Sequence, residues 1–370
     1  MRVTATAAGR VNLIGDHTDY MGGLVLPMAI QLGTTLEARV GGPRIQLTSD
    51  MEPEGLDLTL PSTDPSAVQP EWGRYVAAVA AELGSTSGLA GTLTSTIPAG
   101  AGLSSSAALE VATALALLAA TPEQATDEDP STGLPPALVA AAGNPTNLDA
   151  DQRVEVASLC QRAEHTAVGV PSGIMDQLSI CLGVAGAATL IDCATLEVAQ
   201  VALPDDAAVW VIHSGESRRL AGSSYADRRA CAENAAESLG PLPAADPSEI
   251  EALVDPVLRK RARHVRSECD RVIRFSESLT GGDLPGAGQL MLASHRSLSC
   301  DYEVSTSALD DLVDALAALP GVYGARLTGA GFGGCVVALT DPGIDLGDTP
   351  LGTHGAWHVV PSDGISVELR

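Results

Sequence analysis

Apolar and polar residues alternate over residues 2–8, the period-2 pattern of a half-buried strand. Residues 24–60 break into shorter runs separated by Gly41-Gly42-Pro43 and Pro53-Glu54-Gly55, which predicts several strands joined by turns. Trp72 to Leu83 carries a helical period, and residues 89–97 alternate again. After Ser106, residues Ala107, Ala108, Val111, Ala112, Leu115 and Leu118 recur at helical spacing, and any of the serines before them is able to start that helix. Residues 121–151 are acidic, rich in proline and without strong periodicity. They read as a surface excursion between two helices, with a short helix at Ala137–Ala142.

Helical spacing resumes at about Val154 and stops at Gly169-Val170-Pro171, and Ser172 to Gln177 turns into another helix. Residues 184–192 and 196–203 alternate like a hairpin, and Val209–His213 reads as a strand. A helix starts near Ser223, short helices fill 235–260, and Lys260 to Leu279 is one amphipathic, partly basic helix. Gln289–Ser299 and Ser307–Leu319 are further helices. Strands follow Pro320–Gly324, cover Val336–Leu339, and end the chain at Gly364–Leu369. Helices and strands mixed in this order predict an α+β protein, and 370 residues allow about two domains.

Composition narrows the classes. The formal net charge of −25 excludes a nucleic-acid partner, whose phosphates demand a positive surface. An anionic ligand must then be held by local positive features or a divalent cation. The seven cysteines form no C-x-x-C pair and sit mostly in apolar runs, the usage of a reduced compartment, so a cytoplasmic location is expected. Met1–Gly9 lacks a basic segment leading into an apolar core, so no signal peptide is expected. The Ala-rich helix after Ser106 has acidic flanks and reads as a core element rather than a membrane span.

Three stretches carry candidate chemistry. In Pro98-Ala99-Gly100-Ala101-Gly102-Leu103-Ser104-Ser105-Ser106, glycines let the backbone turn tightly just before a helix N-terminus, where free N–H groups and the helix dipole favour an anion such as phosphate. A capped core helix after an ordinary loop has the same pattern. Walker-type and protein-kinase phosphate sites need a nearby lysine. The sole lysine, Lys260, lies far from this turn, so backbone amides, serines and a metal are left to hold a phosphate. Gly9 to Gly23 packs Arg10, Asp16, His17 and Asp19 beside Val11, Leu13 and Ile14, which suits the polar floor of a pocket. No second histidine stands at ligand spacing, so His17 reads as a hydrogen-bonding residue. Asp176 is a lone carboxylate among Ile174, Met175 and Leu178, either a helix-start acid or a general base in a dry setting. Glu164 and Asp176 are able to converge on one metal or phosphate. Trp72 and Tyr75 read as core anchors or as a stacking surface for a planar base. A second glycine-rich loop runs from Thr328 to Cys335.

Taken together, these stretches resemble the galactokinase family of the GHMP small-molecule kinase superfamily. Gly9 to Tyr20 is similar to its N-terminal signature and Pro98 to Ala108 to its phosphate loop. Ala163-Glu164-His165, Gly173 to Gln177, Ser294 to Leu298, and Thr328 to Cys335 follow in the family's order. The resemblance implies an N-terminal domain over about 1–195 like ribosomal protein S5 domain 2. It also implies a ferredoxin-like domain over 196–370, with the last strand able to return to the first domain. The implied activity is ATP- and Mg²⁺-dependent phosphorylation of galactose at its anomeric hydroxyl, by a monomer that engages neither nucleic acid nor membrane.

Carried over residue by residue, Asp176 matches the catalytic aspartate, and Arg10 the arginine that offsets charge on the phosphoryl group. Asp16, His17, Thr18, Asp19, Gly173 and Tyr225 fall at sugar positions. Gly100, Ala101, Gly102, Leu103, Ser104, Ser105 and Ser106 would wrap the triphosphate, Trp72 falls near the adenine, and Ser106 and Glu164 match the Mg²⁺ ligands. The chain departs from the family in two places. Asp16 stands where the signature carries Glu, which reaches the sugar's C6 hydroxyl, and Ala330 stands where Gly is usual. Asp16 therefore opens the alternative of a related sugar: a pentose, a deoxygalactose or an aminogalactose. A sugar- and ATP-binding sensor without catalysis is the other alternative.

Overall fold

The computed structural model describes residues 1–122, 134–169, 171–216 and 221–370, without the side chains of 221–223. Residues 123–133 of the acidic excursion expected over 121–151, and the end of the polar stretch after Gly215, lie outside the described residues.

The chain opens with a long hairpin of β1 (Arg2–Ile14) and β2 (Leu24–Val40). Burial alternates along the first half of β1, then covers every residue from Ala7 to Ile14. Helices pack on one side of that second half and the other sheet approaches the opposite side. The polar run beginning at Gly9 is therefore the inner half of a strand. Both of its faces are covered, which erases the period-2 signal there. The hairpin is followed by β3 (Arg44–Ser49), β4 (Leu56–Thr59), α1 (Gly73–Glu82) and β5 (Leu89–Ser95). Next comes α2 (Ser105–Ala120), buried along nearly all its length against β1 and β2. Its alanines allow this close approach.

α3 (Ala150–Val168) begins at a capping box: the Asp149 side chain accepts from the Gln152 backbone N–H at 2.9 Å, and the Gln152 side chain accepts from the Asp149 N–H at 3.0 Å. It ends at Gly169 in the left-handed region, as its sequence predicts. α4 (Met175–Leu182) and the hairpin of β6 (Ala187–Asp192) and β7 (Val198–Ala202) follow.

The remaining elements are β8 (Ala208–His213), α5 (Ala221–Leu239), α6 (Pro247–Ala252), α7 (Pro256–Thr280), α8 (Leu284–Ser297) and α9 (Ser307–Ala317). Four strands close the chain: β9 (Val322–Thr328), β10 (Cys335–Thr340), β11 (Ala356–Val359) and β12 (Ile365–Leu369). α7 starts earlier than its periodicity predicts, because Asp255 caps it and Pro256 occupies its first position. β11 is not predicted at all; it is too short to carry a pattern.

One sheet runs β12-β1-β2-β5-β3-β4, with β6 and β7 attached through β2. The other runs β11-β8-β10-β9, all antiparallel. The last strand pairs with the first, Val3 opposite Leu369. Two buried clusters fill the fold. The larger joins α2, α3 and α4 to the first sheet, β1 included, and takes in one face of the second sheet through Val209, Val211, Val337 and Leu339; the smaller joins α9 and part of α7 to its other face. Among the described residues, no helix is long and apolar enough to cross a membrane.

Candidate active site

Asp176 opens the first turn of α4 and meets the serine turn directly. Arg10, on the buried half of β1, forks onto its carboxylate with Nε 2.7 Å from Oδ1 and Nη2 2.9 Å from Oδ2. The Ser104 hydroxyl also donates to Oδ2. Arg10 Nη1 donates to the Gly102 carbonyl at 2.8 Å, so one guanidinium ties the carboxylate to the turn. Arg10 is almost wholly buried while the Asp176 side chain keeps 28% of its surface exposed, so the acid faces the cavity and the arginine backs it. Positive φ recurs at alternate residues Gly100, Gly102 and Ser104, at 73°, 71° and 60°. That alternation turns successive backbone N–H groups into a concave, anion-seeking nest at the start of α2. Ser104 is the strained member, since it lacks glycine's freedom.

A cavity of about 180 Å³ opens from this point, lined by Arg10, Asp16, His17, Asp19, Tyr20, Ser172, Gly173, Met175, Asp176, Tyr225, Gly329 and Ala330. Asp19 faces Gly173, where any side chain would overlap its carboxylate. Desolvation, then the neighbouring Asp176 charge, pushes Asp19 up to about 7. His17 is held by Tyr20 and by the Ala330 carbonyl, and burial pushes it down to about 3, so it is a neutral imidazole. Tyr225 packs its ring against His17 and Tyr20. Asp16 is almost fully buried: Oδ2 lies 2.6 Å from Arg326 Nη2, and Oδ1 accepts from the Gly329 N–H at 2.9 Å.

A second cavity of about 300 Å³ lies on the other side of the serine turn. Trp72, Tyr75, Leu93, Ile97 and Leu109 give it apolar walls, and Gly100, Ser105 and Ser106 form its edge. Glu164 joins the two spaces. It accepts from Ser106 at 3.2 Å on one side and from Ser172 at 2.5 Å on the other, and Gln177 supports it at 3.1 Å. Among the described residues, no group of three or more His, Cys, Asp or Glu side chains gathers as a metal cage.

Comparison with known proteins gives three family-model matches along the chain. The galactokinase galactose-binding signature covers residues 2–40, the GHMP kinases N terminal domain 73–184, and the GHMP kinases C terminal region 275–345. The galactokinase of Homo sapiens is 42% identical, over 92% of this chain and 84% of that one. This chain belongs to the galactokinase family. The galactokinase of Chloroflexus aurantiacus is 41% identical, over 90% of this chain and 83% of that one. The crystal structure of Lactococcus lactis galactokinase complexed with galactose superposes with a TM-score of 0.83 at 29% identity, over 99% of this chain and 95% of that one. Methanococcus jannaschii mevalonate kinase, at 18% identity and a TM-score of 0.66, shares the fold.

Within this galactokinase-family site, most residues expected from the sequence converge. Arg10, Asp16, His17, Asp19, Gly173, Asp176 and Tyr225 line one cavity, and Trp72, Gly100, Ser105 and Ser106 line the other. Thr18 does not reach either. It is fully buried, and its hydroxyl donates to the carbonyls of Gly15 at 2.8 Å and Leu24 at 2.7 Å, fixing the turn instead. Ala101 and Leu103 also point into the core, leaving only their backbone at the turn. Sequence reasoning missed Arg326, Ser172, Gln177 and Tyr302. Arg326 left a trace: an arginine between Ala325 and Leu327 in a buried strand demands an anionic partner.

Proposed function

We propose that the chain is a galactokinase that transfers the terminal phosphoryl group of ATP to the anomeric hydroxyl of galactose, giving α-D-galactose 1-phosphate and ADP. The observation that carries this reading is the contact between Ser104 and Asp176, because it places an acid of one cavity at the phosphate-seeking turn beside the other. The sugar enters the cavity of Asp19, His17 and Tyr225, where carboxylate and imidazole suit hydroxyl groups. ATP takes the second cavity, with its base against Trp72 and Tyr75 and its phosphates over Gly100 to Ser106. In the transfer, the sugar oxygen bonds to the γ-phosphorus and the bond to the bridging oxygen breaks. The hydroxyl proton passes to the Asp176 carboxylate. Arg10 orients that carboxylate and offsets negative charge at the transferring group.

Ser106 and Glu164 fit Mg²⁺. They are two hard oxygen donors held together at the start of α2, and this ion commonly takes one or two protein ligands with phosphate and water completing its shell. When bound, the ion neutralises phosphate charge. Free thiols at Cys160, Cys181, Cys193, Cys231, Cys269 and Cys300 fit a reducing compartment, which supports a cytoplasmic enzyme. We read it as acting as a monomer.

Asp16 supports a second reading in the choice of sugar. Arg326 and Gly329 hold its short carboxylate at the cavity wall, which leaves room for a sugar changed at that end. ADP release measured with galactose, arabinose, 6-deoxygalactose and N-acetylgalactosamine decides between the two. Galactose is expected to turn over fastest; galactose far behind any of the others favours the second reading, and no ADP release with any sugar favours a sensor.

A further inference from the structure

His17 has one consistent way of making both of its hydrogen bonds. Nε2 lies 3.2 Å from the Ala330 carbonyl oxygen. A carbonyl oxygen only accepts, so Nε2 carries the ring hydrogen. The ring is neutral, which leaves Nδ1 as a bare lone pair, and the Tyr20 hydroxyl 2.9 Å away donates to it. Tyr20 has then used its hydrogen. The Tyr302 hydroxyl, 2.8 Å from that of Tyr20, donates in turn. The opposite order would put the Nε2 lone pair against the carbonyl lone pairs. One carbonyl in the loop after β9 thus sets the direction of the whole chain, from Tyr302 through Tyr20 and His17 to Ala330.

The surrounding packing holds the rings for this task. His17 has a left-handed backbone at φ 65°, and its ring centroid sits 4.8 Å from that of Tyr302 and 5.9 Å from that of Tyr20. Tyr302 is wholly buried and lies outside the lining of the sugar cavity, with the Arg261 guanidinium 5.8 Å from its ring. The Tyr302 hydroxyl, buried behind the cavity, serves no contact with substrate of its own.

We propose that Tyr20 and Tyr302 are positioning residues for sugar recognition: their hydroxyl pair holds His17 in the Nε2–H form, bonded to the Ala330 carbonyl, and so fixes the imidazole as a rigid wall of the sugar cavity. This rests on the reading of that cavity as the sugar site.

Imidazole ¹⁵N spectra of the free enzyme, assigned through loss of the signal in His17→Asn, are compared for wild type, Tyr20→Phe, Tyr302→Phe and the double variant, alongside steady-state kinetics. Wild type is expected to show a protonated Nε2 and a bare Nδ1. Tyr20→Phe should move the Nδ1 resonance downfield as it loses its donor, and raise KM for galactose about tenfold with kcat and KM for ATP within about twofold. Tyr302→Phe should raise KM about threefold, and the double variant should be no worse than Tyr20→Phe, since both act through one ring. A protonated Nδ1 in wild type, an unmoved Nδ1 in Tyr20→Phe, or additive effects on KM would overturn the relay. The spectra need no turnover, so an enzyme inactive on galactose would sink the functional reading while the nitrogen shifts still decide this one.

Discussion

Gly173 lies so close to Asp19 that a methyl group on its Cα would occupy the space of the Asp19 Oδ2. A carboxylate of the proposed sugar cavity is thus positioned by the absence of a side chain on the facing loop. Gly173→Ala is expected to displace Asp19 and lower kcat/KM for galactose about a hundredfold, with KM for ATP unchanged. Steady-state kinetics with each substrate varied separately checks this. A loss confined to ATP would place Asp19 elsewhere in the chemistry.

Asp19 also sets a pH dependence. Folded Asp19 keeps its proton to about pH 7, against a reference value of 3.8. Between those values the native state binds more protons than the unfolded chain, so this residue's contribution to stability falls as pH rises. Asp19→Asn removes that term. Its urea midpoint relative to wild type is expected to rise between pH 5 and pH 7. Protonated Asp19 accepts fewer hydrogen bonds, so wild-type KM for galactose should climb as pH falls below about 7. His17 stays neutral down to about pH 3 and adds no step in that range.

Arg326 and Asp16 form a buried ion pair between β9 and the turn after β1. Arg326 also donates to the carbonyls of Asn12 and Leu13, both at 3.3 Å, and to Ser294 at 3.1 Å. Arg326→Met strands the Asp16 charge and should cost about 3–5 kcal/mol in denaturant unfolding. Adding Asp16→Asn removes the stranded charge and should recover part of that loss. Equal stability of the two variants would mean that the pair contributes little as a pair.

How much of this was readable in the sequence differs from place to place. The Gly–Ser turn, Asp176 and the Arg10 signature were legible because each combines backbone-bending residues with polar groups that resist burial. The end of α3 at Gly169 was legible because capping is local chemistry, whereas its start at Asp149 lies ahead of Val154, where the helical spacing is read. The inner half of β1 lost its alternation because both faces are covered, and β11 was too short to show any. Thr18 was misplaced for a different reason. Its position in a signature does not say which way its hydroxyl turns, and the backbone of Gly15 and Leu24 claimed it. Arg326 and Tyr302 reach the site from elements distant in the chain, and pairing of that kind leaves no spacing to read.

The nucleotide side has its own test. Trp72 borders the second cavity, and its indole N–H donates to the Glu54 carbonyl at 3.1 Å, which fixes the ring's orientation. Trp72→Ala is expected to raise KM for ATP roughly five- to tenfold while leaving KM for galactose within about twofold. The reverse pattern would move the base out of this cavity.

The most direct test of the chemistry is kcat for galactose phosphorylation in Asp176→Asn, followed by ADP release. Asparagine keeps the size of the side chain and loses its charge and basicity. The expected result is a fall in kcat of about 10²–10⁴ with KM for ATP changed little. A kcat like that of wild type would remove Asp176 from the reaction and contradict the mechanism proposed for this site.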